Sequence, residues 1–304
     1  MTISFKDQVA IVTGAGGGLG RSHALMLAAH GAAVVINDFG GARDGSGGST
    51  AAATAVVREI TKAGGRAIAD GGNVTSEADM QAMVERTLKE FGRIDVLINN
   101  AGILRDKTFA KVTMEDFRAV VDVHLMGTTI ASKAVWGVMR EQQYGRILVT
   151  SSTSGTYGNF GQANYGAAKM ALLGLMNTLH LEGVKYGIHV NAIVPTAATR
   201  MTGDMMSDEM LQILAPELVS PAAIWLVCSD APSRTALLAG AGTVARLAIG
   251  ESEGVCFAGK SLSPDDIAAN FDRIADISAL IEPTEGLRHV DRIIENARRA
   301  NGKA

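Results

Sequence analysis

The 304-residue sequence predicts an α/β fold: a doubly wound parallel sheet with helices on both faces, followed by a helical C-terminal extension. Three observations carry that reading. Short β-branched apolar runs, of a length suited to strands buried on both faces, alternate with helical patterns over the first two thirds of the chain. The spacing of strand, helix and strand calls for right-handed parallel crossovers. A glycine-rich turn follows the first run and opens the first helix.

The elements follow in order. VAIVT at 9–13 is the first strand, and GRSHALMLAAHG is a helix that Gly31 stops. AVVIND at 33–38 is the second strand, with a helix over 50–63, a strand near 66–70 and a helix over 76–91. IDVLIN at 94–99 leads into a long helix over 113–142, and RILVTS at 146–151 into a helix over 162–186. IHVNAIV at 188–194 is the sixth strand. The segment GGARDGSGGST at 40–50 is too close to its strand to be a domain linker; it reads as a loop beside a ligand or as a plain surface insertion. A dinucleotide-binding domain over 1–250 and a helical extension over 251–304, packed on the same domain, are expected.

Composition narrows the function. Lys+Arg 28 against Asp+Glu 31 gives a net charge of -3, so no basic field exists to hold nucleic acid or an anionic membrane. Aromatic residues make up 5%, which argues against base-stacking surfaces. Cys228 and Cys256 show no CxxC or Cys/His clustering, so neither a disulfide framework nor a metal site is expected. No apolar run approaches membrane-spanning length, the start lacks a signal-peptide pattern, and NGKA is not a peroxisomal address. A cytoplasmic protein acting on a small molecule is expected.

The turn Thr13-Gly14-Ala15-Gly16-Gly17-Gly18-Leu19-Gly20 does not fit G-x-G-x-x-G but does fit T-G-x-x-x-G-x-G, with Gly14, Gly18 and Gly20. Residues without Cβ let a backbone turn tightly against a pyrophosphate, whose charge then faces a helix N-terminus. Asp38 stands 18 residues past Gly20, where a carboxylate can accept both ribose hydroxyls and repel a 2′-phosphate. NAD is therefore expected rather than NADP in a Rossmann-type sheet; the alternative for Asp38 is turn formation in Asp-Phe-Gly-Gly.

In NYGAAK, Tyr165 and Lys169 share one helix face at i and i+4. Oxidising a secondary alcohol requires a group that takes the O–H proton. Free tyrosine, with a pKa of about 10, is a poor base unless a nearby positive charge favours the phenolate. Lys169 can supply that charge together with the positive nicotinamide of NAD, and Ser152 can hold the substrate oxygen toward the phenol.

With TGAGGGLG at 13–20, NNAG at 99–102, serine at 151–152, Tyr165 and Lys169 in this order, the chain resembles the short-chain dehydrogenase/reductase family. The family spacing, thirteen positions ahead of the tyrosine, selects Ser152 over Ser151. The resemblance implies catalytic Ser152, Tyr165 and Lys169, joined by His124. It further implies cofactor contacts from Gly14, Gly18, Leu19, Gly20, Asp38, Asn73, Val74, Asn100, Ala101, Gly102, Tyr165, Lys169, Pro195, Ala198 and Thr199. Three positions depart from the usual pattern. VHLMG puts His124 where the family commonly has asparagine; an imidazole titrating near pH 6.5 could hold a water joining Lys169 to solvent, or the residue could simply pack there. Asn73-Val74 replaces Asp-Val, and Pro195-Thr196 replaces Pro-Gly.

NDFGG, NNAGILRDKTFAK, YGRILVTSSTSGTYGNFGQANYGAAK and LSPDDIAANFDRI extend the likeness to one branch of the family, the (3R)-hydroxyacyl-CoA dehydrogenase part of type 2 peroxisomal multifunctional enzymes. That branch implies NAD-dependent oxidation of a (3R)-3-hydroxyacyl-CoA, with a 17β-hydroxysteroid or other secondary alcohol as the alternative substrate, in a homodimer or homotetramer joined through the long helices. A nucleotide-binding protein without turnover is disfavoured by the presence of Ser152, Tyr165 and Lys169. A ketoreductase of fatty-acid synthesis is disfavoured by Asp38.

The cations that could hold the CoA phosphates, Arg43, Arg105, Lys107 and Arg200, are scattered in sequence. Met201, Met205, Met206 and Met210 form an apolar lid or plain core. In the tail, Ser263-Pro264-Asp265-Asp266 starts a helix with Ile267, Phe271 and Ile274 on one stripe, and a final helix carries Leu287, Val290, Ile293 and Ile294. These helices cover core or dimer surface, or else wall an acyl or steroid pocket.

Overall fold

A computed structural model describes residues 3–42, 44–198, 207–257 and 261–301. The chain forms two compact units, Met1–Arg246 and Leu247–Ala304.

The first unit opens with β1 (Val9–Thr13), α1 (Gly18–Ala29), β2 (Ala33–Asn37), α2 (Ala51–Lys62), β3 (Arg66–Asp70), α3 (Glu77–Phe91) and β4 (Val96–Asn99). It continues with α4 (Met114–Val121), α5 (Gly127–Gln142), β5 (Gly145–Thr150), α6 (Thr153–Thr156), α7 (Ala163–Gly183) and β6 (Ile188–Pro195). Then come α8 (Asp208–Ile213), α9 (Ser220–Trp225), β7 (Ala236–Gly240) and β8 (Thr243–Leu247). The sheet runs β3-β2-β1-β4-β5-β6-β7-β8, and every pair from β3 through β7 is parallel. The doubly wound sheet expected from the alternation is the observed fold.

Every residue of β1, β2, β4 and β5 is buried, as expected for strands with helices on both faces. Ile11, Ile36 and Ile98 are fully buried, and each contributes roughly 1.5–3 kcal/mol by leaving water. The strand order reverses between β1 and β4, which opens a crevice at the carboxyl ends of these strands. Helix boundaries have local causes. Ser76 caps α3 by accepting from the Asp79 N–H, Gly92 ends it in the left-handed region, and Thr113 caps α4 through the Asp116 N–H.

Two features were not expected. The long helix of 113–142 is interrupted by a π-helical turn, Asp122–Met126, between α4 and α5. A hairpin, β7–β8, completes the sheet. Its two-residue turn, Ala241-Gly242, has φ of 49° and 74°, the mirror-image geometry that joins antiparallel strands.

In the second unit, α10 (Pro264–Ala269), α11 (Phe271–Ile274) and α12 (Gly286–Ala300) are helical. Ser263 and Asp266 form a reciprocal capping box at the start of α10, as the Ser-Pro-Asp-Asp pattern predicts. Glu251 bridges to Ile281 in a short antiparallel pair, and its carboxylate binds Arg292 and His289, each at 2.7 Å. Leu287, Val290, Ile293 and Ile294 form one stripe of α12 and are exposed. No helix among the described residues is long and apolar enough to cross a membrane.

Candidate active site

The carboxyl edge of the sheet collects the chemistry. At the end of β1, Thr13 Oγ1 accepts hydrogen bonds from the Asn100 and Ala101 N–H groups at 3.0 and 3.1 Å. The Asn100 side-chain amide donates to the carbonyl oxygens of Thr13 and Gly14, both at 3.1 Å. The NNAG segment is thereby tied to the glycine turn. Gly14 has φ +62°, and a Cβ there would lie 2.7 Å from Ala101 Cα; one on Gly20 would lie 2.3 Å from the Gly14 carbonyl oxygen. No other residue type fits these two positions without moving backbone. Gly18 and Leu19 open α1, so the turn leads directly into a helix N-terminus.

Asp38 follows β2. Its Oδ2 accepts from the Gly16 N–H and its Oδ1 from the Gly40 N–H, each at 2.7 Å. A concave pocket is lined by Gly16, Gly17, Asp38, Gly40, Ser49, Ala51 and Ala52. The Gly/Ser-rich loop therefore borders this pocket, and it is folded on itself by Ser49 N–H to Phe39 C=O and Ala42 N–H to Ser46 C=O. The residues fit a nicotinamide dinucleotide. A turn whose Gly14 and Gly20 have no room for a Cβ leads into a helix start, and beside it stands a carboxylate already oriented by two backbone donors and retaining further acceptor capacity. Asn73 lies after β3; its side-chain oxygen accepts from the Thr75 N–H and its own N–H donates to Asp79, each bond fixing the start of α3. Val74 is buried and closes on Gly127, where a Cβ would lie 2.7 Å from Val74 Cγ2.

Ser151 and Ser152 follow β5 and differ in what they hold. The Ser151 hydroxyl donates to the Lys169 carbonyl oxygen at 2.8 Å, a bond that anchors α7. The Ser152 hydroxyl caps α6 by accepting from the Ser154 N–H at 3.2 Å and lies near the Tyr165 phenol, whose pKa it acts to lower. Lys169 is buried; its Nζ donates to the Thr150 carbonyl oxygen at 2.5 Å and stands 5.5 Å from the Tyr165 ring centroid. Burial lowers the Lys169 pKa to about 7. Burial also raises the Tyr165 phenol above its ordinary value, with the nearby Ser152 hydroxyl opposing and Asp106 adding to the rise. The protein's own groups therefore do not lower the phenol's pKa; the expectation coupled Lys169 with the positive nicotinamide. Both groups share one desolvated site, and near neutral pH this lysine is charged for only part of the time.

His124 is carried by the π-helical turn and is buried. Its ring lies 5.0 Å from that of Tyr165, at an interplanar angle of 89°. Burial, followed by the Lys169 charge, holds its pKa well below the ordinary value. The expectation of titration near pH 6.5 is thus overturned: the sequence could not reveal that the ring is desolvated.

Pro195 ends β6, and Ala198 is buried with its N–H on the Leu214 carbonyl oxygen at 2.7 Å. Thr199, Arg200, Met201, Met205, Met206 and Arg43 lie outside the described residues. Met210 is exposed on α8. Three contributors escaped the sequence reading: the Thr13 hydroxyl, the Thr150 carbonyl, and buried Asn164, whose amide donates to the Arg105 carbonyl oxygen at 3.1 Å. Thr13 and Asn164 adjoin motifs that were read, so position was the available signal. Arg105 and Lys107, scattered in the reading, meet at the Asp116 carboxylate at 3.2 and 2.7 Å.

A glycine cradle, an acidic residue after β2 and a serine–tyrosine–lysine group at one sheet edge define a dinucleotide-dependent oxidoreductase. The chain belongs to the short chain dehydrogenase family, whose sequence pattern matches residues 8–210. It is 49% identical over 274 residues to a short-chain type dehydrogenase/reductase of Mycobacterium tuberculosis, covering 90% of this chain and 96% of that protein. It is 53% identical over 224 residues to the peroxisomal hydratase-dehydrogenase-epimerase of Saccharomyces cerevisiae, covering 74% of this chain but 25% of that protein. The structure of full-length peroxisomal multifunctional enzyme type 2 from Drosophila melanogaster superposes with a TM-score of 0.81 at 33% identity, covering 98% of this chain and 50% of that one. The chain thus spans half or less of these two peroxisomal relatives. Members of its family bind NAD(P) and act on small molecules.

Proposed function

We propose that the protein oxidises (3R)-3-hydroxyacyl-CoA to 3-ketoacyl-CoA with NAD, in the breakdown of fatty acids or sterol side chains. The observation that carries the reading is the Ser152–Tyr165 hydroxyl pair set against buried Lys169 at the carboxyl edge. Ser152 holds the substrate oxygen, and Tyr165 takes the proton of the substrate hydroxyl as the carbonyl forms. Lys169 holds positive charge beside the phenol and, anchored on Thr150, is positioned for the nicotinamide ribose. NAD, when bound, accepts the hydride from the carbinol carbon and brings a positive nicotinamide ring to the site. That second charge is what a phenol raised by burial requires for proton removal near neutral pH.

Asp38 supports NAD over NADP, because a 2′-phosphate would face a carboxylate. Two features support a CoA ester. A hydratase produces a hydroxyl that a dehydrogenase can oxidise, and the yeast relative's name joins these two activities. Arg105 and Lys107, on the loop that Asn164 ties beside Tyr165, converge at Asp116, although Asp106 and Asp116 balance their charge.

A homodimer through α4–α5 and α7 belongs to the same proposal. Helix α7 exposes Ala163, Ala167, Met170, Gly174, Thr178 and Leu181 along one stripe of small and apolar residues with a single hydroxyl. A cytoplasmic location is likewise our reading, tested by imaging the tagged full chain.

The experiment is NADH formation with purified protein, NAD, and matched (3R)- and (3S)-3-hydroxyacyl-CoA of several chain lengths, beside a 17β-hydroxysteroid. Turnover of the (3R) esters supports the proposal. Turnover of the steroid alone overturns the CoA assignment.

A further inference from the structure

His124 sits where three elements meet, and its surroundings assign it a role. Nε2 accepts from the Ile103 N–H at 3.2 Å and lies 2.8 Å from the Ile103 carbonyl oxygen, so it faces the Ile103 backbone in either tautomer. Nδ1 is buried and has no hydrogen-bond partner among the described residues. A ring that passes protons needs connections at both nitrogens. Here Nε2 is committed to the Ile103 backbone.

The ring is also wedged. Gly102 closes on its edge so tightly that a Cβ there would lie 2.3 Å from Cε1. The opposite contact is the T-shaped packing on Tyr165. The π-helical turn adds a residue to the local winding and so sets which way this side chain points.

We propose that His124 is a positioning residue for Tyr165: a neutral strut, braced by Gly102 and Ile103, that fixes the tilt of the phenol toward Ser152 and carries no proton in the reaction. Burial and the nearby Lys169 charge, which both oppose protonation, agree with this geometry. The titratable groups facing the pair are Lys169 on α7 and Asp106 on the loop after β4. The inference rests on the proposed role of Tyr165 as the base.

Two substitutions separate the ring from the nitrogens. His124→Phe keeps a ring edge on Tyr165 and removes both nitrogens; His124→Gln keeps a donor for the Ile103 carbonyl and removes the ring. We expect kcat to stay within about tenfold for His124→Phe and to fall about a hundredfold for His124→Gln, since a displacement of about 1 Å costs that much. KM for NAD and the acid limb of the kcat/KM profile are expected to stay unchanged in both. A His124→Phe enzyme as impaired as His124→Gln, or an acid limb that moves in either, overturns the proposal. Melting temperature and NADH binding report folding.

Should His124→Phe not fold, Gly102→Ala displaces the ring while keeping both nitrogens, and the same hundredfold loss at an unchanged acid limb is expected; retained kcat overturns the proposal. If the wild type turns over none of the substrates, the functional reading fails on its own. The strut is then read from phenolate absorbance, each protein minus its Tyr165→Phe counterpart. The Tyr165 titration is expected to shift in His124→Gln and to hold in His124→Phe, and the reverse pattern rejects the strut.

Discussion

Replacing the active-site lysine should stabilise the folded protein while it abolishes turnover. Lys169 is 3% exposed, and burial lowers its pKa from 10.5 to about 7. The unfolded chain therefore holds the proton more tightly, and stability rises with pH between about 7 and 10.5. With about 1.4 kcal/mol per pKa unit, the residue costs about 4 kcal/mol at pH 7 and about 2 kcal/mol at pH 9. Lys169→Met removes that cost but leaves the Thr150 carbonyl oxygen without its donor, a loss of about 1–3 kcal/mol. The net expectation is a gain of about 1–3 kcal/mol at pH 7 that shrinks by about 2 kcal/mol by pH 9. Urea unfolding of both proteins at the two pH values, without nucleotide, measures it. A variant less stable at pH 7, with a difference that does not change with pH, would refute the reasoning that this lysine is held desolvated for function.

Further expectations follow from other sites. Asp38→Ser should raise KM for NAD by at least tenfold and let NADP bind, because it removes the carboxylate that we propose faces the ribose; steady-state kinetics with both cofactors checks this. Lys107→Ala should raise KM for an acyl-CoA several-fold and leave KM for the matching phosphate-free acyl-pantetheine unchanged; equal effects on both would remove Lys107 from phosphate binding. His23 is fully buried against Ser220 at 2.8 Å, and burial lowers its pKa to about 4. Stability should therefore fall as pH drops from about 6.5 to about 4, by about 2 kcal/mol at pH 5, and His23→Asn should remove that part of the slope in denaturant titrations.

The parts of the fold that were legible in sequence are those where burial and periodicity coincide. VAIVT, AVVIN and VLIN are strands buried on both faces, so their apolar runs were sufficient. ALLAG and TVARL were missed because a small-residue hairpin with a mirror-image turn shows neither alternation nor an Asn-Gly or Asp-Gly signal. The π-helical turn was invisible because VDVHLM continues helical periodicity; the extra residue in the winding shows only in three dimensions. Tyr165, Lys169 and Ser152 were readable because each lies at a fixed spacing on an element with a clear pattern. Their ionisation was not, since desolvation depends on packing. The meeting of Arg105 and Lys107 at Asp116 and the bracing of His124 by Gly102 likewise arise from the loop after β4 crossing α4 and the π-helical turn.

The most direct test of the central claim is NADH production from (3R)-3-hydroxyacyl-CoA by the wild type and by Tyr165→Phe, with NADH binding measured in both. Turnover of the (3R) ester, reduced at least a thousandfold in Tyr165→Phe with NADH binding intact, is the predicted result. Turnover that survives the loss of the phenol, or its absence with every hydroxyacyl-CoA in a wild type that binds NADH, would contradict it.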